Sequence, residues 1–186
     1  MPQPILIASD HAGFALKQHL RLALQRLGLP FEDLGTDSEA SVDYPDFAHR
    51  LADAIDLQFQ AKQAHWNVKG PNFIALHELF DRIAGELGGQ VDDMAERITA
   101  LGGTAEGTLQ AVAGRSKLPV YPVDLTEGRA HLEALAGALA RFGKSVRKAI
   151  DETGKAGDAD TSDLFTGVSR GADKNLWLVE AHLQAD

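Results

Sequence analysis

Apolar side chains return every three or four residues along almost the whole chain from Phe47 to Val179, and the rhythm stops only at polar stretches marked by glycine and proline. Such spacing lines one face of a helix, so it predicts long amphipathic helices packed on one another, and no sheet, from about Asp46 onward. The first runs from about Asp46 to Asn67, with Phe47, Leu51, Ala54 and Ile55 inward, and "KGP" ends it. The second runs from about Asn72 to Leu101, where Phe80, Ile83, Leu87, Met94, Ile98 and Leu101 recur and Gly102-Gly103 closes the run. "DLTE" reads as a capping box, Asp124 to Glu127, opening a third helix whose inner face is Leu132, Leu135, Leu139, Phe142, Val146 and Ile150. After "GKAGDADTSD" a fourth runs from about Thr161 to Leu183, with Leu164, Val168, Ala172, Leu176 and Val179 inward.

The long connection between the second and third helices holds "KLPVYP" and a short helix around "GTLQAVAG". Four long helices so connected make a four-helix bundle of ferritin-like type. The residues before it have another texture. "PILIASD" reads as a short buried strand, "HAGFALKQHLRLALQRLG" as a helix carrying Phe14, Leu20, Leu22, Leu24 and Leu27 and closed by Gly28, and "PFEDLG" as a second strand. The two strands of such a β-α-β unit are parallel. The polar loop "TDSEASVDYPD" then runs into the first bundle helix with no linker. The expected fold is mainly α: residues 1–45 form a β-α-β appendage and 46–186 the bundle.

Composition narrows the chemistry. The chain has no cysteine, which removes disulfides, zinc–thiolate sites and thiol catalysis together. Its formal net charge is −9, which suits attraction of cations and disfavours nucleic acid, where Lys and Arg must neutralise phosphates. No apolar run reaches bilayer length, and "MPQPILIASDHAGF" lacks the basic start and long apolar stretch of a signal peptide. A cytoplasmic protein without membrane attachment is expected.

The residues that carry chemistry lie around one sharp break, "HWNVKGPNFIALHELFD". His77 and Asp81 are four apart and share a helix face, as do Asp92 and Glu96 further on. His65 lies across the break from His77 and can approach it. Each pair alone reads as a solvated polar stripe, and Asp92 and Glu96 also read as surface charge beside Arg97. Taken together they are a mixed imidazole–carboxylate donor set, which suits Fe(II), with zinc also possible. His77 and Asp92, however, are fifteen residues apart, roughly 22 Å on a continuous helix, against metal–ligand bonds of about 2 Å. One chain cannot close such a site. Two chains with their second helices antiparallel about a two-fold axis can, because Asp92 and Glu96 of one then face His65, His77 and Asp81 of the other. Trp66, beside His65, has two readings: a nearby electron donor or a packing aromatic. Gly85, Gly88 and Gly89 inside the second helix cost about 1 kcal/mol each relative to Ala, and close helix approach at the two-fold seam is a reason to keep them.

"QAKQAHWNVKGPNFIALHELFD", "VDDMAERITALGGTAEGT" and "GDADTSDLFTGVSRGADKNLWLVEAHLQ" closely resemble the Dps family of mini-ferritins, the DNA-starvation protection proteins, over roughly Leu51 to Gln184. The resemblance implies a hollow dodecamer that oxidises Fe(II), preferably with hydrogen peroxide, stores the Fe(III) as mineral and protects the cell from oxidative stress, with no organic cofactor. It makes His65, His77 and Asp81 the iron ligands of one subunit and Asp92 and Glu96 those of its neighbour. It also places Asp158, Asp160 and Asp163 of "GDADTSD" where the family has acidic three-fold pores that admit iron; helix N-capping, above all by Asp160, is the other reading of these residues, and the two roles can coexist.

"ILIASDHAGFALK" and "DLGTDSEASVDYPDFA" resemble instead the beginning of ribose-5-phosphate isomerase B, a family in which the Asp-His pair, here Asp10 and His11, helps bind the sugar. Only about the first third of such an enzyme is represented, so the chain reads as a hybrid and a sugar-phosphate isomerase is a remote reading. Many Dps proteins bind DNA through a Lys-rich N-terminal tail. Residues 1–49 here carry three Lys and Arg against seven Asp and Glu, a local charge of −4. Weak or absent DNA binding is expected, and a DNA-compacting structural protein is the second functional reading.

Overall fold

In the computed structural model, residues 3–7, 9, 13–34 and 44–184 are described. The element order is β1 (Ile5–Ile7), α1 (Phe14–Arg26), β2 (Phe31–Asp33), α2 (Tyr44–Asn67), α3 (Phe73–Ala100), α4 (Leu109–Arg115), α5 (Gly128–Lys155) and α6 (Ala159–Ala181). The four long helices are those the apolar spacing predicts, within one to two residues at most ends and a few at the start of α5.

The stripes meet in one core. Leu51, Leu57, Phe80, Ile83, Leu87, Leu135, Phe142, Val146, Phe165 and Val168 are all almost fully buried. The core cluster begins at Phe47 and holds no described residue before it. Helices α2 and α3 pack as one hairpin and α5 and α6 as another. The crossover from α3 to α5 is pinned to α2 by polar groups: buried Asp53 accepts from the Lys117 amide at 2.6 Å and the Ser116 hydroxyl at 3.2 Å, and Gln60 donates to the Pro119 carbonyl at 3.1 Å. Burial pushes the Asp53 carboxyl up, and these bonds only partly offset the cost of taking it out of water.

Helix α5 begins at Gly128, and its N-cap is Glu127 without a side-chain cap bond, so the expected Asp124–Glu127 capping box does not form. The reason is tertiary. The backbone just ahead of α5 is extended and the Lys69 amide donates to the Thr126 carbonyl at 2.8 Å, which keeps residues 124–127 out of the helix. The N-cap of α6 is Asp158, and not Asp160, because Gly157 turns the chain at φ +81° just after α5 and starts the next helix two residues earlier.

The N-terminal unit has the expected parallel pairing, Ile5 opposite Phe31 and Ile7 opposite Asp33. The expectation of a buried first strand fails: Ile5 and Leu6 are 42% and 60% exposed. A two-stranded sheet with one helix offers too few neighbours to cover them. Leu20 and Leu22 on α1 and Leu27 just beyond it are likewise exposed, while Lys17 is buried and donates to Asp33 at 2.6 Å. Asp10, His11 and the polar loop before Tyr44 lie outside the described residues. Among the described residues no helix is long and apolar enough to cross a membrane.

Candidate metal centre

The break between α2 and α3 brings the two histidines together. Gly70 has φ +112°, a conformation open to glycine and strained for side-chain-bearing residues, and the Phe73 amide closes the turn onto its carbonyl at 3.1 Å. His65, in the last turn of α2, therefore stacks on His77, in the first turns of α3, with ring centroids 3.7 Å apart. Each ring is held by the other's backbone: His65 Nδ1 lies 2.8 Å from the His77 carbonyl, and His77 Nδ1 lies 2.8 Å from the His65 carbonyl. A carbonyl can only accept, so both Nδ1 atoms donate. In the neutral rings both Nε2 atoms then carry the lone pair, the arrangement a metal ligand needs.

Asp81 follows His77 by one turn, and its Oδ1 lies 4.0 Å from His65 Nε2. The same oxygen accepts from Lys62 Nζ at 2.5 Å. The Lys62 hydrogen bond, with help from its charge and from the two imidazoles, holds the Asp81 carboxyl below its ordinary range. A cation from the protein thus already sits on this carboxylate, in competition with any metal. Replacing Lys62 by Gln should tighten binding of Zn(II), a redox-silent probe, by about two- to fivefold, the strength of an exposed ion pair. Unchanged or weaker binding in a calorimetric titration would count against that competition.

Asp92 and Glu96 do not join this group. Helix α3 is unbroken from Phe73 to Ala100, which keeps them roughly 22 Å or more from His77. Both side chains are exposed, and neither has an ion-pair partner among the described residues. Within one chain both therefore sit as exposed surface charge, and Arg97 does not pair with them, since it turns to Asp158 and Thr161, both at 2.8 Å. Among the described residues no three His, Asp or Glu side chains are gathered closely enough to hold a metal ion. The chain by itself presents two half-sets of donors.

Trp66 is 61% exposed, so within the chain it is not a packing aromatic; Lys62 Nζ lies 6.0 Å from its ring centroid. Of the three acidic residues at the start of α6, Asp160 and Asp163 are exposed. Asp158 is committed elsewhere, accepting from the Thr161 amide at 3.0 Å and from Arg97. Burial alone would raise its carboxyl, but the Thr161 bonds and the Arg97 charge overcome this and hold it below its ordinary range. Its contribution to stability is therefore complete above the unfolded carboxylate value near 3.9 and fades as pH falls through the lower folded value. Asp158→Ala should cost about 1–2 kcal/mol in urea denaturation at neutral pH, and the gap from wild type should close below about pH 4. A gap independent of pH would contradict this.

Sequence reading overlooked Lys62, although its position three before His65 puts it on the same helix face. It had no signal for the reciprocal imidazole–carbonyl bonds, which depend on how the turn closes.

The fold defines a ferritin-like protein, and the ferritin-like domain family matches residues 47–186. The chain belongs to that class and, within it, to the Dps family. It is 50% identical over 134 residues, 72% of this chain and 83% of the relative, to a DNA protection during starvation protein of Agrobacterium fabrum. Dps from Staphylococcus aureus superimposes with a TM-score of 0.72 at 30% identity, covering 76% of this chain and 94% of that one. Dps from Microbacterium arborescens, solved in a high iron form, gives 0.70 at 29% identity and covers 77% and 95%. The ribose/galactose isomerase family also matches, over residues 5–64. That stretch runs past the N-terminal unit into α2, which agrees with a hybrid chain.

Proposed function

We propose that this protein is a ferroxidase and iron store, which binds Fe(II) between two-fold-related copies and oxidises it with hydrogen peroxide or dioxygen. The observation that carries the reading is the mutual locking of His65 and His77. It leaves both Nε2 atoms free for metal beside Asp81, while the complementary carboxylates, Asp92 and Glu96, lie too far along the same rigid helix to serve their own chain. In an antiparallel pair each copy completes the other's site, twice per dimer. Iron is the substrate. Two Fe(II) give one electron each to a peroxide, which takes up two protons and leaves as two waters; the carboxylates offset the added positive charge and the imidazoles keep the metal in place. Where a single Fe(II) is oxidised, the peroxide still needs a second electron, and Trp66, exposed next to His65, is suited to supply it. Asp158, Asp160 and Asp163 line an iron-admitting pore, with Asp160 and Asp163 exposed and Asp158 also engaged with Arg97. The assembly is a dodecamer, the protein works in the cytoplasm under oxidative stress, and the β-α-β stretch and the bundle are separate units whose boundary lies at the start of α2, two residues ahead of the expected residue 46.

The test is growth of ferric absorbance after adding Fe(II) and peroxide to the wild type and to His77→Ala/Asp81→Ala. Equal rates defeat the reading. A second reading, DNA compaction, rests on the name of the relatives as DNA protection proteins. The charge of −9 opposes it, and in a gel shift at moderate salt duplex DNA should run free; tight retention would favour compaction. The isomerase-like stretch has two paired strands among the described residues, too few for an enzyme sheet, and is an appendage here.

A further inference from the structure

The surface also holds a basic cavity apart from the metal ligands. It has a volume of about 760 Å³ and lies between the first turns of α2, the middle of α5 and the residue after the Ser116 turn. Helix α5 contributes Arg141, Lys144 and Lys148, spaced three and four apart so that they form one stripe on one face. His49 and Arg50 of α2 and Lys117 of the crossover face them, and the one carboxylate in the lining is Asp53.

A stripe of cations on a helix is ordinarily a solvated face, and here two of the cations have partners. Arg50 donates to Glu152 at 2.7 Å and Lys148 pairs with the same residue at 3.0 Å. Lys117, Arg141 and Lys144, however, have no ion-pair partner among the described residues, in a chain that carries 27 acidic side chains. The carboxylate in the lining does not neutralise them fully, because Asp53 is turned to the Ser116 hydroxyl and the Lys117 amide and is itself pushed toward the neutral form by burial. Three unpaired cations from two elements thus border a concave space of the size of a small-molecule site.

We propose that this cavity binds a small anion with linked phosphates. A single phosphate would leave most of the volume empty, whereas two or three linked phosphates match the charge of the three unpaired cations. Guanidinium and ammonium groups are the side chains that bind phosphate oxygens most strongly. A duplex is the less fitting ligand, since it needs an extended basic track and this chain is strongly acidic outside the cavity.

The test is calorimetric titration of the assembled, iron-free protein at low salt with sodium pyrophosphate, with ATP in the absence of divalent metal, and with orthophosphate. Pyrophosphate or ATP should bind at one site per chain, more tightly than orthophosphate. The tighter of the two tells whether inorganic or nucleotide phosphate is the ligand. Arg141→Gln/Lys144→Gln should weaken binding by at least about tenfold, the factor carried by one charge-assisted hydrogen bond. Both side chains are exposed, so the fold tolerates the change. Arg170→Gln, an exposed cation elsewhere, and His77→Ala/Asp81→Ala should bind as wild type does. Absence of binding by pyrophosphate and ATP alike, equal affinity in the α5 double variant, or an equal loss in Arg170→Gln would overturn the proposal.

Discussion

Two inactive variants should restore iron oxidation when mixed. His77→Ala/Asp81→Ala lacks the imidazole side of the centre, and Asp92→Asn/Glu96→Gln lacks the carboxylate side. If the halves come from different copies, a mixed dimer has one site with both defects and one site with none. After the two variants are dissociated and reassembled in equal amounts, half the dimers are mixed, so about a quarter of all sites are whole. Peroxide-dependent oxidation should return to about a quarter of the wild-type rate, from a background near zero in either variant alone. A mixture as inactive as its parts would sink the shared-site geometry even if iron oxidation itself were established. The prediction rests on the unbroken span of α3, from Phe73 to Ala100, which is what separates the two sets.

Phe165→Ala should cost about 3–5 kcal/mol of stability. Phe165 is fully buried, and its ring meets that of Phe47 with centroids 4.7 Å apart. Its removal opens a cavity where α6 crosses the start of α2, and rigid neighbouring helices cannot collapse into it. Urea denaturation at one fixed protein concentration checks this, since assembly adds its own concentration-dependent stability. A loss below about 1 kcal/mol would mean that this end of the bundle is loosely packed. Phe165 was absent from the inward face expected for the fourth helix, although it sits beside Leu164 in the same apolar stripe.

The long helices were legible because burial of one face imposes a period on the sequence itself, and Phe80, Leu135 and Val146 sit in the core as that period requires. The helix starts were less so. A cap depends on where the preceding backbone goes, and both Asp124 and Asp160 were displaced as caps by contacts made at Thr126 and Gly157. The exposed strand at Ile5 was misread for a related reason: strand formers announce a strand, and only the number of neighbouring strands decides whether it is covered.

The candidate site divides in the same way. Residue spacing alone fixed which donors exist, that His77 and Asp81 share a face, and that Asp92 and Glu96 lie too far off to join them, because helical rise is a property of the local backbone. The tertiary structure alone decided the rest: the reciprocal bonds that orient both imidazoles, the Lys62 cation lodged on Asp81, and the Arg97 clamp that takes Asp158 away from its neighbours. Each of these joins residues from different helices, and the direction of a side chain across such a contact is set by packing, which no period in the sequence encodes.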